Sequence, residues 1–168
     1  VASDRELIAD VANGSDDAFR QLYDRFSDRV YRYAYTILRG EHLAEEVAQE
    51  TMIAVWKGAS KFAGRSKVST WIFGIARNQA YSLVRKEIRT ERTPNVSLVE
   101  PDPAPGIHRQ ERVARALERL SDDHREVVFL TFYEGLSYGE IASVLGIPPG
   151  TVKSRMFHAK KRLAEALT

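Results

Sequence analysis

Three prolines at alternate positions, Pro101, Pro103 and Pro105, constrain this chain more than any other feature. Each lacks an amide donor and disfavours helix in the residue before it, so no regular element is expected to run through Val96 to Gly106. The sequence on either side has helical periodicity, with no strand-like alternation and no internal repeat. The 168 residues therefore read as an all-α protein of two small helical domains, residues 1–92 and 109–168, joined by a flexible linker at 93–108.

The first domain holds four expected helices. Ser3 or Asp4 can cap a short one with apolar Leu7, Ile8 and Val11, stopped at Asn13-Gly14. Between Ser15 and Gly40, Phe19, Leu22, Phe26, Val30, Tyr33 and Ile37 recur at steps of three and four, the stripe of a long amphipathic helix with Gly40 as its stop. A third runs from Glu41 to about Lys57 with Leu43, Val47, Thr51 and Val55 inward. Gly58 to Lys67 reads as a loop, after which Ser69 or Thr70 can cap a fourth helix to about Arg89. In the second domain, Val113, Ala116, Leu117 and Leu120 mark one helix, and Val127, Val128 and Leu130 another. Two short helices follow, separated at Gly146-Ile147-Pro148.

The net charge of +2 conceals a division into blocks. Residues 1–50 carry 11 Asp/Glu against 6 Arg, whereas residues 57–92 carry 9 Lys/Arg against Glu87 and Glu91. The stretch from Lys153 to Arg162 contains no acid. There is no cysteine, which excludes disulfide scaffolds, thiolate metal sites and cysteine nucleophiles. No apolar run approaches the roughly 20 residues that span a bilayer, and the polar start Ser3-Asp4-Arg5-Glu6 is unlike a signal peptide. A cytosolic protein without membrane insertion is expected. His42, His108, His124 and His158 are scattered, with no His-x-x-x-His pair and no framework of acid, base and nucleophile, so neither an enzyme, nor a metal, nor any cofactor is expected. His42 and His124 read as surface residues.

Leu136 to Arg155 has the residue types of a helix-turn-helix in order. Ser137 can cap the first helix, with Glu140 completing a capping box. Ile141, Leu145 and Val152 can share a small core, Ala142 permits a close crossing, Gly146 suits the turn, and Pro148 or Pro149 can start the second helix. In this motif the N-terminal residues of the second helix meet base edges in the major groove, which nominates Thr151, Lys153, Ser154, Arg155 and His158. Arg155 can pair bidentately with guanine, while Lys153, Lys160, Lys161 and Arg162 suit phosphates.

On the fourth helix, an inward side of Ile72, Ile75, Ala76, Gln79 and Leu83 would put Trp71, Gly74, Asn78, Tyr81 and Arg85 outward. Two readings stay open: aromatic and basic side chains for stacking unpaired bases, or Trp71 and Tyr81 completing the core. The preceding loop, with Lys61, Arg65 and Lys67, is suited to receive an extruded base. Melting costs about 1.4 kcal/mol per base step and a stacked base returns roughly 1–3 kcal/mol. Such a surface opens DNA only within a larger machine.

Ala18-Phe19-Arg20-Gln21-Leu22-Tyr23, Ala44-Glu45-Glu46-Val47-Ala48-Gln49-Glu50-Thr51 and Ser69-Thr70-Trp71-Ile72-Phe73-Gly74-Ile75-Ala76-Arg77-Asn78 resemble region 2 of the extracytoplasmic-function (ECF) sigma factors of bacterial RNA polymerase. Leu120 onward, with Gly139-Glu140-Ile141-Ala142 and Gly150-Thr151-Val152-Lys153-Ser154-Arg155, resembles their region 4. The resemblance implies that the first domain opens and captures the −10 element as single strand, through Lys61, Arg65, Lys67, Trp71, Arg77, Asn78, Tyr81 and Arg85. It implies that the second reads the −35 element as duplex. It further implies core RNA polymerase as partner, through its clamp coiled coil and flap, with Glu46, Gln49 and Glu50 on the clamp. An anti-sigma factor is expected, and a linker with Glu91, Glu100 and Asp102 threading toward the active centre. Ser82 and the pair Phe157-His158 depart from the family's pattern. A sigma mimic that binds an anti-sigma factor but not DNA is the alternative, although its DNA-facing residues should have decayed. A plain helix-turn-helix repressor leaves the basic, aromatic face of the first domain unexplained.

Overall fold

The computed structural model describes residues 1–89 and 109–168; the proline stretch, the expected linker and its acids Glu91, Glu100 and Asp102 lie outside the described residues. Among the described residues all regular structure is helical. The N-terminal half consists of α1 (Asp4–Ala12), α2 (Asp16–Leu38), α3 (Glu41–Gly58), a 3-10 turn (Ala59–Lys61) and α4 (Val68–Arg89). The C-terminal half consists of α5 (Arg109–Glu118), α6 (Asp122–Phe132), α7 (Tyr138–Leu145) and α8 (Pro149–Leu167).

Capping sets the helix starts as the sequence indicates. The Ser3 hydroxyl accepts from the Glu6 amide at 3.2 Å and that of Ser15 from Ala18 at 3.1 Å, each satisfying an otherwise orphaned donor. The stop of α2 differs from expectation. Arg39, not Gly40, takes the left-handed conformation (φ 57°), while Gly40 is extended and stands as the N-cap of α3. With two helices abutting across two residues, Arg39 ends one and Gly40 begins the next.

The stripe of α2 is realised: Leu22, Phe26, Val30 and Tyr33 are fully buried, with Phe19 and Ile37 at its half-buried ends. They pack against Leu7, Ile8 and Val11 of α1, Met52 and Val55 of α3, and Ile72, Phe73 and Ala76 of α4. Burying each large apolar side chain contributes about 1.5–3 kcal/mol. Arg25 closes the top, donating to the Asp4 carboxylate at 2.9 Å and the Ala2 carbonyl at 2.6 Å.

Four further expectations need correction. α4 starts at Val68, with the Trp71 amide donating to the Lys67 carbonyl at 3.1 Å; Ser69 and Thr70 lie inside the helix rather than capping it. Its inward stripe is Ile72, Phe73, Ala76 and Ala80, while Ile75, Gln79 and Leu83 are only half-buried. α4 packs against α2, α3 and α7, and these contacts fix which of its apolar positions are buried. In the C-terminal half, Val113 is exposed at 37 % and Leu120 lies beyond the end of α5. α8 is not short, at 19 residues.

The halves pack on each other. α6 lies against α2 and α7 against α4, and one continuous buried cluster runs from Leu7 to Ala159. Tyr33 sits in this seam, stacked on Phe129 of α6 at 5.9 Å and meeting Phe73 edge-on at 5.7 Å. Arg125 fastens α5 to α6 by donating to the carbonyls of Leu117, Glu118 and Leu120 (3.3, 2.9 and 2.6 Å), which satisfies acceptors that a helix C-terminus leaves open.

Candidate nucleic-acid interface

The helix-turn-helix forms as its residues dictate. The Ser137 hydroxyl accepts from the Glu140 amide at 3.1 Å, and the Glu140 carboxylate accepts from the Ser137 amide at 3.2 Å. Burial disfavours the Glu140 charge, but these Ser137 donors and nearby Lys67 outweigh it and hold the carboxyl below its ordinary range. Gly146 ends α7 in the left-handed region (φ 68°), where a side chain would be strained. Pro148 is the N-cap of α8 and Pro149 its first residue. Ile141, Ala142, Leu145 and Val152 form the shared core.

α8 is thereby fixed with Val152, Met156 and Ala159 inward and its polar residues outward. Lys153, Ser154, His158, Lys160, Lys161 and Arg162 are exposed, and Thr151 and Arg155 half-buried. Arg155 lies 3.7 Å from the Asp123 carboxylate of α6. His158 stacks on His124 at 6.3 Å. His124 is half-buried at the surface, and burial, followed by the charge of His158, lowers its pKa. Phe157 stands out at 66 % exposure.

The proposed strand-capturing set divides. Lys61, Arg65, Lys67, Asn78 and Arg85 are exposed. Trp71 is half-buried, its ring 5.1 Å from Phe62 and against Gly58, where an added Cβ would come within 3.3 Å of the indole. The loop before α4 is braced by Arg5, which donates to the carbonyls of Gly64 and Ser66 at 3.1 and 3.3 Å. A cleft of ≈ 410 Å³ opens between this loop and α1, lined by Arg5, Ile8, Phe62 and Gly64 among others.

Arg77 and Tyr81 have a different environment, which their spacing did not reveal. The Glu126 carboxylate of α6, 1 % exposed, accepts from Tyr33 Oη at 2.5 Å, Arg77 Nε at 2.8 Å and Tyr81 Oη at 3.2 Å. The Arg77 guanidinium also lies 4.4 Å over the Tyr81 ring. Burial, with the neighbouring carboxylate, pushes the Tyr81 hydroxyl up to about 12 and that of Tyr33 well above its ordinary value. Burial opposes the charge of Arg77, but Glu126 outweighs it and raises its pKa. Glu126 is the residue that sequence reasoning missed. Its signal was an acid sharing a helical face with Phe129, Leu130 and Tyr133, three, four and seven positions on.

Glu46, Gln49 and Glu50 project from α3 as an exposed face, extended by exposed Ile53 and Trp56 (45 % and 40 %). Their spacing of three and four places them in one row.

Residues 22–90 match the family model for Sigma-70 region 2, and residues 110–163 that for Sigma-70 region 4. Together these cover well over half of the chain. It belongs to the sigma-70 family, among the ECF sigma factors. The ECF RNA polymerase sigma factor SigK of Mycobacterium ulcerans is 33% identical over 96% of this chain and 91% of its own length. SigW of Bacillus subtilis is 28% identical over 97% and 96%. Among solved structures, CnrH in complex with the cytosolic domain of CnrY aligns with TM-score 0.73 at 30% identity, covering 98% of this chain and 96% of that one. RpoE in complex with the anti-sigma factor NepR from Bartonella quintana aligns with TM-score 0.72 at 31% identity, covering 89% and 96%. An ECF sigma factor is a non-enzymatic initiation factor that works with RNA polymerase on promoter DNA, and that is the activity of this chain.

Proposed function

We propose that the C-terminal half reads the −35 element as duplex through α8, and that the N-terminal half captures the −10 element as a melted strand through α4 and the loop before it. The observation that carries this reading is α8 itself. A capped, glycine-turned helix-turn-helix presents Lys153, Ser154 and His158 exposed beside a tethered Arg155, with no acid from Lys153 to Arg162. Arg155 supplies base discrimination and Lys153, Lys160, Lys161 and Arg162 the phosphate contacts. In the N-terminal half, Lys61, Arg65, Lys67 and Arg85 follow the strand backbone, Asn78 offers an amide to a base edge, and Trp71 with Tyr81 provides aromatic surface.

On the polymerase side, the exposed row Glu46, Gln49 and Glu50 docks on the clamp coiled coil. The flap occupies the cleft of ≈ 730 Å³ beside α5, lined by Val113, Leu117 and Tyr133 among others. An anti-sigma factor that covers these polymerase-binding surfaces keeps the protein inactive; two of the structural neighbours are complexes with a second chain, one of them an anti-sigma factor. The proposed activity is tested by run-off transcription with purified core polymerase on a genomic promoter library, with defined start sites expected. If the polypeptide neither joins core polymerase nor directs it to any start site, the reading fails.

A further inference from the structure

Glu126 belongs to α6, whereas Tyr33, Arg77 and Tyr81, which donate to its carboxylate, belong to the N-terminal half. Two further acids of the C-terminal half do the same at the rim. Glu134, 5 % exposed, pairs with Arg29 at 2.8 Å, and Glu140 with Lys67 at 3.5 Å. Lys67, Arg77 and Tyr81 are three of the residues assigned above to the single strand. A guanidinium and two phenol hydroxyls converging on a carboxylate offer the donors that a phosphodiester oxygen would accept. With Glu126 seated, Arg77 is only 23% exposed, and a DNA backbone has no access to the inner donors.

We propose that the surface made by Tyr33, Arg77 and Tyr81 is one anion site with two exchanging occupants: the Glu126 carboxylate of the same chain in the closed form, and the phosphate backbone of the unpaired promoter strand once α6 has left. The inference rests on the strand-binding role proposed for α4 and deepens it. Exchange rather than coexistence follows from the geometry, because the donors to Glu126 are the groups that a strand would use. Closure is strongest at the shielded carboxylates. Lys67 is 71% exposed, so its pair with Glu140 is largely screened by water, whereas Glu134 at 5% and Glu126 at 1% are shielded, and Glu126 gathers three donors. A closed population lowers apparent strand affinity in proportion to the fraction it withholds.

The chain lacks cysteine, so two dyes can be attached to cysteines introduced at exposed Asp24 and Glu165 of the full-length protein. Energy transfer between them reports closure, and anisotropy of a random-sequence single-stranded oligodeoxynucleotide reports strand binding. Glu126→Gln removes the charge with little change of shape. It is expected to lower energy transfer and tighten oligonucleotide binding by about fivefold or more, a gain that adding Arg77→Ala abolishes. Saturating the wild-type labelled chain with the oligonucleotide is expected to lower transfer likewise, which tests exchange even if Glu126→Gln fails to fold. Transfer that stays constant in the saturated wild type overturns the exchange. If Glu126→Gln opens the chain and binding does not tighten, the shared site is overturned; if Arg77→Ala then also leaves binding unchanged, the strand-binding role of α4 falls with it.

Discussion

Arg155 stands where packing and chemistry meet: its backbone is fixed by Val152 and Met156 on the buried side of α8, and its guanidinium lies 3.7 Å from Asp123. The proposed contact of this guanidinium is bidentate pairing with guanine. Arg155→Ala is expected to cost about 1–3 kcal/mol at one base pair and relax preference there, measured by binding to duplexes varied singly across the −35 element; equal losses on every sequence would assign the residue to phosphate instead. Trp71 is a different case. Its indole packs on Phe62 and Gly58 at the edge of the core, and the proposed stacking role would use the part of the ring left accessible. Trp71→Ala should spare duplex −35 binding and remove open-complex formation, seen as loss of permanganate-reactive thymines, with a loss on the order of 1–3 kcal/mol of stacking. Retained reactivity would place Trp71 in packing alone.

The helix-turn-helix was legible in the sequence nearly residue by residue, because its local chemistry has few alternative solutions. Ser137, Glu140, Gly146 and Pro149 each satisfy a backbone need that arises within a few positions. Ser137→Ala is accordingly expected to destabilise the chain by about 0.5–2 kcal/mol, read from urea unfolding. Glu140 adds a pH dependence of known sign. Its carboxyl is held below its ordinary value, so the folded state binds fewer protons than the unfolded one near that value. Its contribution is complete above pH 4.5 and is lost as pH falls through the lowered value. The stability difference between wild type and Glu140→Gln should therefore shrink as pH is taken below 4.5, and a difference that grows there would contradict the assignment. α4 was less legible for a physical reason. Both Ile75 and Phe73 are apolar, so periodicity fitted an inward stripe through either, and only the flanking helices selected Phe73 and Ala80.

At the scale of the whole molecule, the sequence divides at its prolines but does not disclose how the halves meet. Periodicity identifies an apolar face and not the partner that covers it, so Tyr33 reads as a core residue of the first domain, whereas it stacks on Phe129 of α6. The same limit concealed Glu126, whose partners lie 45 to 93 positions away. Because one buried cluster spans both halves, unfolding of either removes the cover of the other, and the intact chain should unfold in urea as a single cooperative transition. Glu126→Ala leaves the Arg77 guanidinium facing a vacated, shielded site, a loss of the kind that costs about 3–5 kcal/mol when one member of a buried pair is deleted. Most of that cost falls on the seam and not on either helical core, since Glu126 contacts neither the Ile72–Ala76 side of α4 nor the Val152–Ala159 side of α8 through these bonds. The expected result is therefore two resolved transitions, followed by tryptophan fluorescence from Trp56 and Trp71 for the N-terminal half and by circular dichroism for both. If Glu126→Ala keeps one coincident transition by both probes, the seam is held by the Tyr33–Phe129 stack and its apolar neighbours instead of by the carboxylate.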